Sequence, residues 1–386
     1  MASEPRSLSH NSHRPTSPTT EPFPCVDAPL AVTPHPTMTT AGMELGKSAA
    51  LKIPAIRRLV EARDALLLDN AVLNAQRDAL AAEVAYLKTG LPAQFMHFKA
   101  SFDADTTIAR YRAPDIASDP RYLTNFLGVK VDPKVVPGLL DGRGGEIEPP
   151  PIPGNWHACI AEWAAVLRAV DLAHERFSII ELGCGWGCWL NNAGRAAKRR
   201  GLAIDLIGIE GDAGHLQFAR ETCAANGIEP SEVTLIHGLA GPDTSVALFP
   251  KQAVAGSSWG LEPIFDPSPE DRARIMQTGQ FEELPVLNLA DVIGERSQID
   301  LLHIDIQGGE ADLVEACLPL LRDRLAYLVI GTHSRPIEGR LMAALSADGW
   351  VLEIERPAII TIDRNAVTLV IDGVQGWRNP RLCQLP

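Results

Sequence analysis

Short apolar segments alternate with segments of helical periodicity from about residue 177 to the end of the chain. Such alternation predicts repeated strand–helix units, which form a parallel sheet covered by helices on both faces. The predicted strands are 178–182, 203–210, 233–237, 299–305, 325–332, 350–355 and 367–372, with helices at 189–200, 213–225, 310–321 and 338–347. No long helix separates the last two strands, which predicts an antiparallel strand at the sheet edge. We therefore expect an open α/β fold.

Four regions differ in composition. Residues 1–50 form a predicted disordered tail, because eight of the first 42 residues are Pro, twelve are Ser or Thr, and few large apolar side chains are present. Residues 51–90 have the pattern of one long helix. Residues 91–154, rich in Pro and Gly, predict an irregular connector or small accessory region. Residues 155–386 contain the predicted sheet domain, which a helix with apolar residues at helical spacing precedes.

The predicted long helix, about 54–88, has leucine at every seventh position. Leu59, Leu66, Leu73, Leu80 and Leu87 occupy this register. If they are d positions, Asn70 takes an a position, and a single buried Asn favours a parallel two-stranded coiled coil. Arginines at two other a positions weaken that seam, so the alternative is an amphipathic helix that packs on its own domain. A homodimer through 54–88 is the prediction.

Composition and charge exclude several classes of protein. No apolar run approaches the roughly 18 residues that a membrane-spanning helix needs, and the first residues lack a secretory pattern. The seven cysteines show no paired spacing, which predicts free thiols in a reducing, cytoplasmic compartment. A net charge of −13 would repel a phosphate backbone, so nucleic acid is not an expected partner.

Three glycines at alternate positions follow the first predicted strand, in Glu181–Gly187 (ELGCGWG). In an open α/β sheet, ligands bind beyond the carboxyl ends of the strands, so this loop borders the expected site. Glycine there lets the backbone approach a ligand closely, where a Cβ atom would collide. The second strand ends in Glu210, whose carboxylate can accept hydrogen bonds from both hydroxyls of a ribose. Together these residues predict a nucleoside-containing ligand.

Charge distinguishes two such ligands. A dinucleotide site needs the spacing GxGxxG, but here the third glycine comes one residue early and Cys188 follows it. Glu181 would repel a pyrophosphate, whereas it would attract the ammonium and sulfonium groups of S-adenosylmethionine. We therefore predict this methyl donor and a Rossmann-like class I methyltransferase sheet; a glycine turn without a ligand is the alternative. The predicted donor-binding residues are Glu181, Gly183, Cys184, Gly185, Trp186, Gly187, Glu210, Gly211 and His237.

Polar residues also end the fourth and fifth predicted strands, on the acceptor side. Asp305 follows an apolar strand, where a charge needs a partner. His333 follows the next strand and can take a proton from a hydroxyl near neutral pH, so it is the first candidate base. Glu310 opens a helix, where it is either a cap or a functional group. We predict Asp305 and His333 as catalytic residues, and no metal, because no second and third ligand accompany Asp305.

One stretch resembles a known family. Ile299–Leu313 (IDLLHIDIQGGEADL) is similar to the signature of FkbM-type methyltransferases, in which Ile-Asp-hydrophobic-Glu-Gly-x-Glu follows strand four, and Leu284–Ile293 resembles the family's lead-in to that strand. The similarity covers about 175–355. His303 stands where the family usually has Lys, and Gln307 where it usually has Glu. The resemblance implies O-methylation of a hydroxyl on a sugar, polysaccharide or polyketide-type natural product.

A long insertion, about 242–298, separates the third and fourth predicted strands. Its aromatic residues Trp259 and Phe265 either form an acceptor lid, because aromatic faces stack on sugar rings, or anchor the insertion to the domain. The competing hypothesis for the whole chain is a non-catalytic coiled-coil assembly protein with a degenerate methyltransferase fold. The complete glycine loop and Glu210 argue against that alternative.

Overall fold

The structure is a computed structural model of the 386-residue chain. It describes residues 54, 58–59, 62–63, 66–67, 73, 96–364 and 366–384. The chain divides into two units, Met1–Ala79 and Leu80–Pro386. No helix in the described part of the chain is long and apolar enough to cross a membrane.

In the first unit, Met1–Ala79, every described residue has helical backbone, and the leucines at 59, 66, 67 and 73 are exposed. The predicted tail 1–50 lies outside the described residues, as does most of the predicted helix 54–88. The heptad register and the homodimer therefore stay predictions.

The elements of the second unit are numbered along the chain. The strands are β1 (Lys99–Ala100), β2 (Leu123–Thr124), β3 (Lys130–Val131), β4 (Arg176–Leu182), β5 (Ala203–Glu210), β6 (Val233–His237), β7 (Leu239–Gly241), β8 (Ser245–Pro250), β9 (Phe281–Asn288), β10 (Ile299–Ile304), β11 (Leu325–Thr332), β12 (Val351–Arg356), β13 (Ile359–Ile362), β14 (Val367–Ile371) and β15 (Gly373–Arg378). The helices are α1 (Ala104–Arg110), α2 (Ile160–Leu172), α3 (Cys188–Arg199), α4 (Ala213–Ala225), α5 (Pro269–Met276), α6 (Leu289–Ile293), α7 (Glu310–Arg324) and α8 (Arg335–Ala347).

An eight-stranded sheet forms the centre of this unit, in the order β1-β12-β15-β11-β10-β4-β5-β6. The pairs from β11 through β10, β4 and β5 to β6 are parallel, as the alternating pattern predicts. The position of the antiparallel strand in the sheet differs from the prediction. This strand is β15, and it lies between β11 and β12 rather than at the edge. The edge strand is β1, which pairs antiparallel with β12.

The predicted strand 367–372 belongs elsewhere. Its residues form β14, which pairs with β13 in a separate two-stranded ribbon with exposed Ile362 and Val367. The strand that enters the sheet, β15, is fully buried but has two glycines and no apolar run. Gly376 permits this packing, because a Cβ atom there would lie 2.6 Å from a side-chain methyl of Ile354.

Helices cover both faces of the sheet. Successive residues of β4 point to opposite faces, so Ile179 belongs to the core under α2 and α3 while Ile180 belongs to the core under α6, α7 and α8. Every residue of β11 is buried. This three-layer arrangement is the one that the near-continuous apolar strands predict.

The region predicted as an irregular connector is integral to one of these cores. Side chains between β1 and α2, among them Ile108 and Phe126, pack with α2 and α3. The buried Asn125 accepts hydrogen bonds from the backbone amides of Leu127 and Val129, both 3.0 Å, and donates to the Asn192 side chain at 2.7 Å. These bonds tie an irregular loop to the helix that follows the glycine loop.

The insertion contains structure that the sequence pattern did not reveal. Strands β7, β8 and β9 form a small sheet in the order β7-β9-β8. Leu248 of β8 also exchanges backbone hydrogen bonds with Ile264, which fastens the loop carrying Trp259 to this sheet. The insertion is therefore a subdomain at the carboxyl end of the main sheet.

We expect Asn125→Ala to lower the free energy of unfolding by about 2–4 kcal/mol, because each buried amide that loses its acceptor costs about 1–3 kcal/mol. Urea denaturation measures the change. Asp115→Ala, at an exposed position in the same region, is the control. Equal stabilities of the two variants would show that the Asn125 network does not hold the loop.

Candidate active site

A cavity of about 660 Å³ lies where the carboxyl ends of β4, β5, β10 and β11 meet. Glu181, Gly183, Glu210, Asp305 and His333 all border it, although they come from four separate stretches of the sequence. An α/β sheet places ligands at this edge, so the predicted donor and acceptor residues meet at one site.

The glycine loop is built by close backbone approach. Gly183, Gly185 and Gly187 all have left-handed φ angles, of 70°, 51° and 73°. A Cβ atom on Gly183 would lie 2.1 Å from the carbonyl oxygen of Asp305, so the loop and the end of β10 can touch only because the position is glycine. The predicted tight turn is therefore present, with Cys184 buried beneath it and Trp186 at the cavity wall.

Glu210 lies beside this loop, as its position at the end of β5 predicts. Its Oε2 accepts a hydrogen bond from the backbone amide of Gly185 at 2.8 Å, and its Oε1 accepts one from that of Asp212 at 2.8 Å. The carboxylate borders the cavity. It is positioned to accept hydrogen bonds from a diol that lies along the loop.

Glu181 is placed differently from the prediction. It is buried, and its two carboxylate oxygens accept hydrogen bonds from the amides of Trp189 at 3.1 Å and Leu190 at 2.9 Å. Burial raises its pKa to about 7, against the lowering effect of His303 and of these two amides. Glu181 thus holds the first turn of α3 against β4.

Aromatic residues close the other end of the glycine loop. The Trp259 ring of the insertion stacks on His215 with ring centres 3.9 Å apart and planes 3° from parallel. A Cβ atom on Gly185 would lie 2.9 Å from this ring. Phe249 packs equally closely on Gly211. The insertion therefore covers this end of the glycine loop.

His237 does not border the cavity; its neighbour Gly238 does. The His237 ring instead contacts the carbonyl oxygen of Gly211 at 2.9 Å. It therefore supports the turn after β5 rather than offering a surface to a ligand.

Sequence reasoning missed a second group of residues, at the start of α2. Trp156, His157 and Glu162 border the cavity, and Trp156 stacks on Trp186 with ring centres 5.8 Å apart. Glu162 accepts hydrogen bonds from Trp189 at 3.2 Å and shares a 3.0 Å contact with His303. The helical spacing in this segment correctly predicts α2, but no spacing rule shows that its polar face meets the glycine loop.

The Cys188 thiol, which borders the cavity, is not poised as a nucleophile. All six described cysteines are free and buried. Cys188 lies 3.0 Å from His157, but burial raises the thiol pKa well above its usual range and lowers the His157 pKa to about 4. Both groups are neutral near pH 7, so the pair is a packed hydrogen bond rather than a thiolate–imidazolium pair.

The side chains of Asp305, His333 and Glu310 lie together where β10 and β11 end. The His333 Nε2 lies 3.2 Å from Asp305 Oδ1, and its Nδ1 lies 2.8 Å from Glu310 Oε1. One ligand-type atom of each residue lies within 4.8 Å of the others, a spacing that a cation could use. Both ring nitrogens already face carboxylates, however, so we describe the cluster as an ion-pair network. The absence of a metal requirement stays a prediction.

The strand order, the glycine loop and the carboxylate beside it together define the Rossmann-like fold of class I methyltransferases. A relative supports this class. A protein of Jannaschia sp. (strain CCS1) whose name assigns it to the methyltransferases is 44% identical over 272 residues, which are 70% of this chain and 97% of the relative. The chain belongs to this methyltransferase family. No protein-family model matches it.

Solved structures show more distant likenesses. The FkbM methyltransferase of Methylobacillus flagellatus KT is 15% identical, with a TM-score of 0.34 over 56% of this chain and 54% of that one. The precorrin-6y C5,15-methyltransferase of Geobacter metallireducens GS-15 is 12% identical, with a TM-score of 0.31 over 56% of this chain and 86% of that one. Values this low carry no argument about the acceptor.

The raised pKa of Glu181 predicts a pH-dependent stability. The pKa of Glu181 is near 4.5 in the unfolded chain and about 7 in the folded protein. The protonated side chain therefore contributes fully to the free energy of unfolding below pH 4.5, and this contribution is lost as pH rises through 7. We expect urea denaturation to show a larger loss of stability between pH 5 and pH 8 for the wild type than for Glu181→Gln. Glu229→Gln, at an exposed position, should behave like the wild type. Parallel pH profiles for all three proteins would contradict the assignment.

Proposed function

We propose that the chain transfers a methyl group from S-adenosylmethionine to a hydroxyl oxygen of a sugar, a polysaccharide or a polyketide-like natural product. One observation carries the donor: the Glu210 carboxylate, bonded to the amide of Gly185, lies against the glycine loop in the cavity. A carboxylate and a tight loop in this arrangement suit a ribose with a charged group beside it. The FkbM-type signature at Ile299–Leu313 supports a hydroxyl acceptor.

The cavity has the size of a small-molecule site. Its volume of about 660 Å³ lies well inside the range of about 300–1,000 Å³ typical of small-molecule sites. The donor would occupy the end formed by the glycine loop and Glu210. The acceptor would then approach from the side of Asp305 and His333, which border the same cavity.

Methyl transfer is an in-line displacement at the methyl group of the sulfonium. The protein's main contribution is to align the acceptor oxygen with the C–S bond and to exclude water. The insertion fits the second task, because Trp259 covers Gly185 and the adjacent Gly260 lies near the Gln307 side chain. We propose that this segment is the lid over both ligands.

Charge favours a small acceptor over a nucleic acid. The chain has a net charge of −13, and the acceptor side of the cavity carries Asp305 and Asp372. A phosphate backbone would meet repulsion there.

We expect the chain to bind S-adenosylhomocysteine with a dissociation constant in the micromolar range, measured by calorimetric titration. Glu210→Gln should weaken binding about tenfold or more, because the loss of one hydrogen bond to a charged group is worth about 1.5–3 kcal/mol. Glu229→Gln, an exposed glutamate after α4, is the control and should bind as the wild type does. No binding to the wild type would instead favour the non-catalytic assembly protein.

The acceptor can be identified by labelling. Donor with an isotope-labelled methyl group is supplied with candidate glycans and polyketide-type alcohols, and mass spectrometry follows the label. Label on a hydroxyl oxygen supports the proposal, whereas label on nitrogen or carbon would overturn the O-methylation.

A homodimer through 54–88 is a separate proposal, supported by the heptad of leucines and the Asn70 position. Light scattering should show a dimer for the full chain and a monomer for the chain without residues 51–90. A dimer that persists after the deletion would contradict the coiled coil.

A further inference from the structure

The His333 ring lies between two carboxylates. Its Nδ1 is 2.8 Å from Glu310 Oε1 and its Nε2 is 3.2 Å from Asp305 Oδ1. A neutral imidazole has one N–H donor, so it can bond only one of these carboxylates; the imidazolium has two donors and bonds both. The geometry therefore selects the protonated ring.

Glu310 is the fixed member of this group. It is fully buried at the start of α7, and its Oε1 also accepts hydrogen bonds from the amides of Gly308 at 3.0 Å and Ile306 at 3.3 Å. The other oxygen, Oε2, is buried and has no hydrogen-bond partner among the described residues. A buried carboxylate needs a counter-charge, and His333 is the ionisable group in contact with it.

The other charged groups around His333 do not replace Asp305 and Glu310 as its ionic partners. Burial raises the pKa of Asp372, and both His333 and Arg356 oppose that rise. His303 and Glu162 form a pair of their own at 3.0 Å, from β10 and α2. Asp305 and Glu310 therefore remain the groups in direct contact with the ring.

The protonation equilibria agree with the geometry. Burial lowers the His333 pKa, but its bonds to Asp305 and Glu310 outweigh burial and raise it to about 10. Burial raises the Asp305 pKa, and the bond from His333 reverses this, so the net direction is downward. Near neutral pH the ring holds its proton and Asp305 is a carboxylate.

We infer that Glu310 is a positioning residue, which holds His333 as an imidazolium so that the ring orients Asp305 as the proton acceptor of methyl transfer. This inference rests on the proposed function. It gives His333 a different role from the base that its place after β11 predicts, because a ring with both nitrogens protonated cannot accept a proton.

The transfer step balances with these groups alone. The acceptor oxygen forms a bond to the methyl carbon, the C–S bond breaks, and its electron pair stays on sulfur. The hydroxyl proton moves to Asp305. Gln307 at 3.0 Å and His333 both donate to Oδ1, so Oδ2 is the oxygen available to the acceptor. The protonated ether is a strong acid, so even a carboxylate with a lowered pKa takes this proton.

Histidine-selective ¹⁵N NMR tests whether Glu310 holds His333 as an imidazolium, and this measurement needs neither donor nor acceptor. The His333 signal, assigned with His333→Gln, should be that of an imidazolium at pH 8. Glu310→Gln should lower its pKa by roughly one to three units, as loss of an adjacent opposite charge does. Glu338→Gln is the matched control, because this buried glutamate lies in the first turn of α8 but bonds to Thr332, Arg335 and Ala358 instead. A neutral His333 at pH 8, or an unchanged pKa in Glu310→Gln, would overturn the inference.

The rate of turnover, measured with the acceptor that labelling identifies, tests whether Asp305 is the proton acceptor. We expect kcat/KM of the wild type to be level between about pH 7 and pH 9, whereas a His333 base would give a rate that rises toward its pKa. Asp305→Asn should lower kcat about 100-fold or more, the usual contribution of a general base, and retain affinity for S-adenosylhomocysteine. If kcat/KM rises with pH, or if the Asp305→Asn variant is active, the inference is wrong and His333 is the base. If the wild type does not bind S-adenosylhomocysteine, the proposed function itself is wrong.

Discussion

The glycine loop and the side of the cavity that carries Asp305 are joined by main-chain contact between the ends of β4 and β10. The amide of Asp305 donates to the carbonyl oxygen of Leu182 at 3.1 Å, and Gly183 packs against the Asp305 carbonyl with no room for a Cβ atom. Neighbouring parallel strands lie about 4.8 Å apart, so the sheet itself sets the distance between the two halves of the site. Side chains then determine which ligands bind, but the main chain determines where the two halves of the site meet.

The parts of this site that follow from backbone geometry could be predicted from the sequence. Buried parallel strands are near-continuous apolar runs, and the ends of those strands correctly predict that Glu210, Asp305 and His333 border one cavity. Strand β15 could not be predicted, because a strand with two glycines and no apolar run lacks the pattern on which strand assignment depends. Glu162 was missed for another reason: its role comes from the packing of α2 against the glycine loop, which is a tertiary contact.

Glu181 shows how burial changes the meaning of a charge. A carboxylate before a glycine loop predicts attraction for a cationic ligand, and that argument treats the side chain as free to face the ligand. In the structure its two oxygens are used by the first amides of α3, a site where a helix offers unpaired N–H groups. Because these bonds orient α3 relative to β4, Glu181 acts on the shape of the loop. The residue type was informative, but the direction of its side chain was not contained in the pattern.

Gln307 bonds to Asp305 without adding a charge to the acidic group around His333. Its side-chain amide donates to Asp305 at 3.0 Å, and its φ angle of 59° is a left-handed conformation that costs non-glycine residues of the order of 1–3 kcal/mol. A glutamate at this position would place a third carboxylate beside Asp305 and Glu310, with His333 as the cation that contacts both. The neutral amide instead supplies a second donor to Asp305 and adds no charge. Glutamine thus helps to keep Asp305 ionised and oriented. The group of Asp305, Glu310 and His333 then carries one net negative charge, and a glutamate at 307 would add a second.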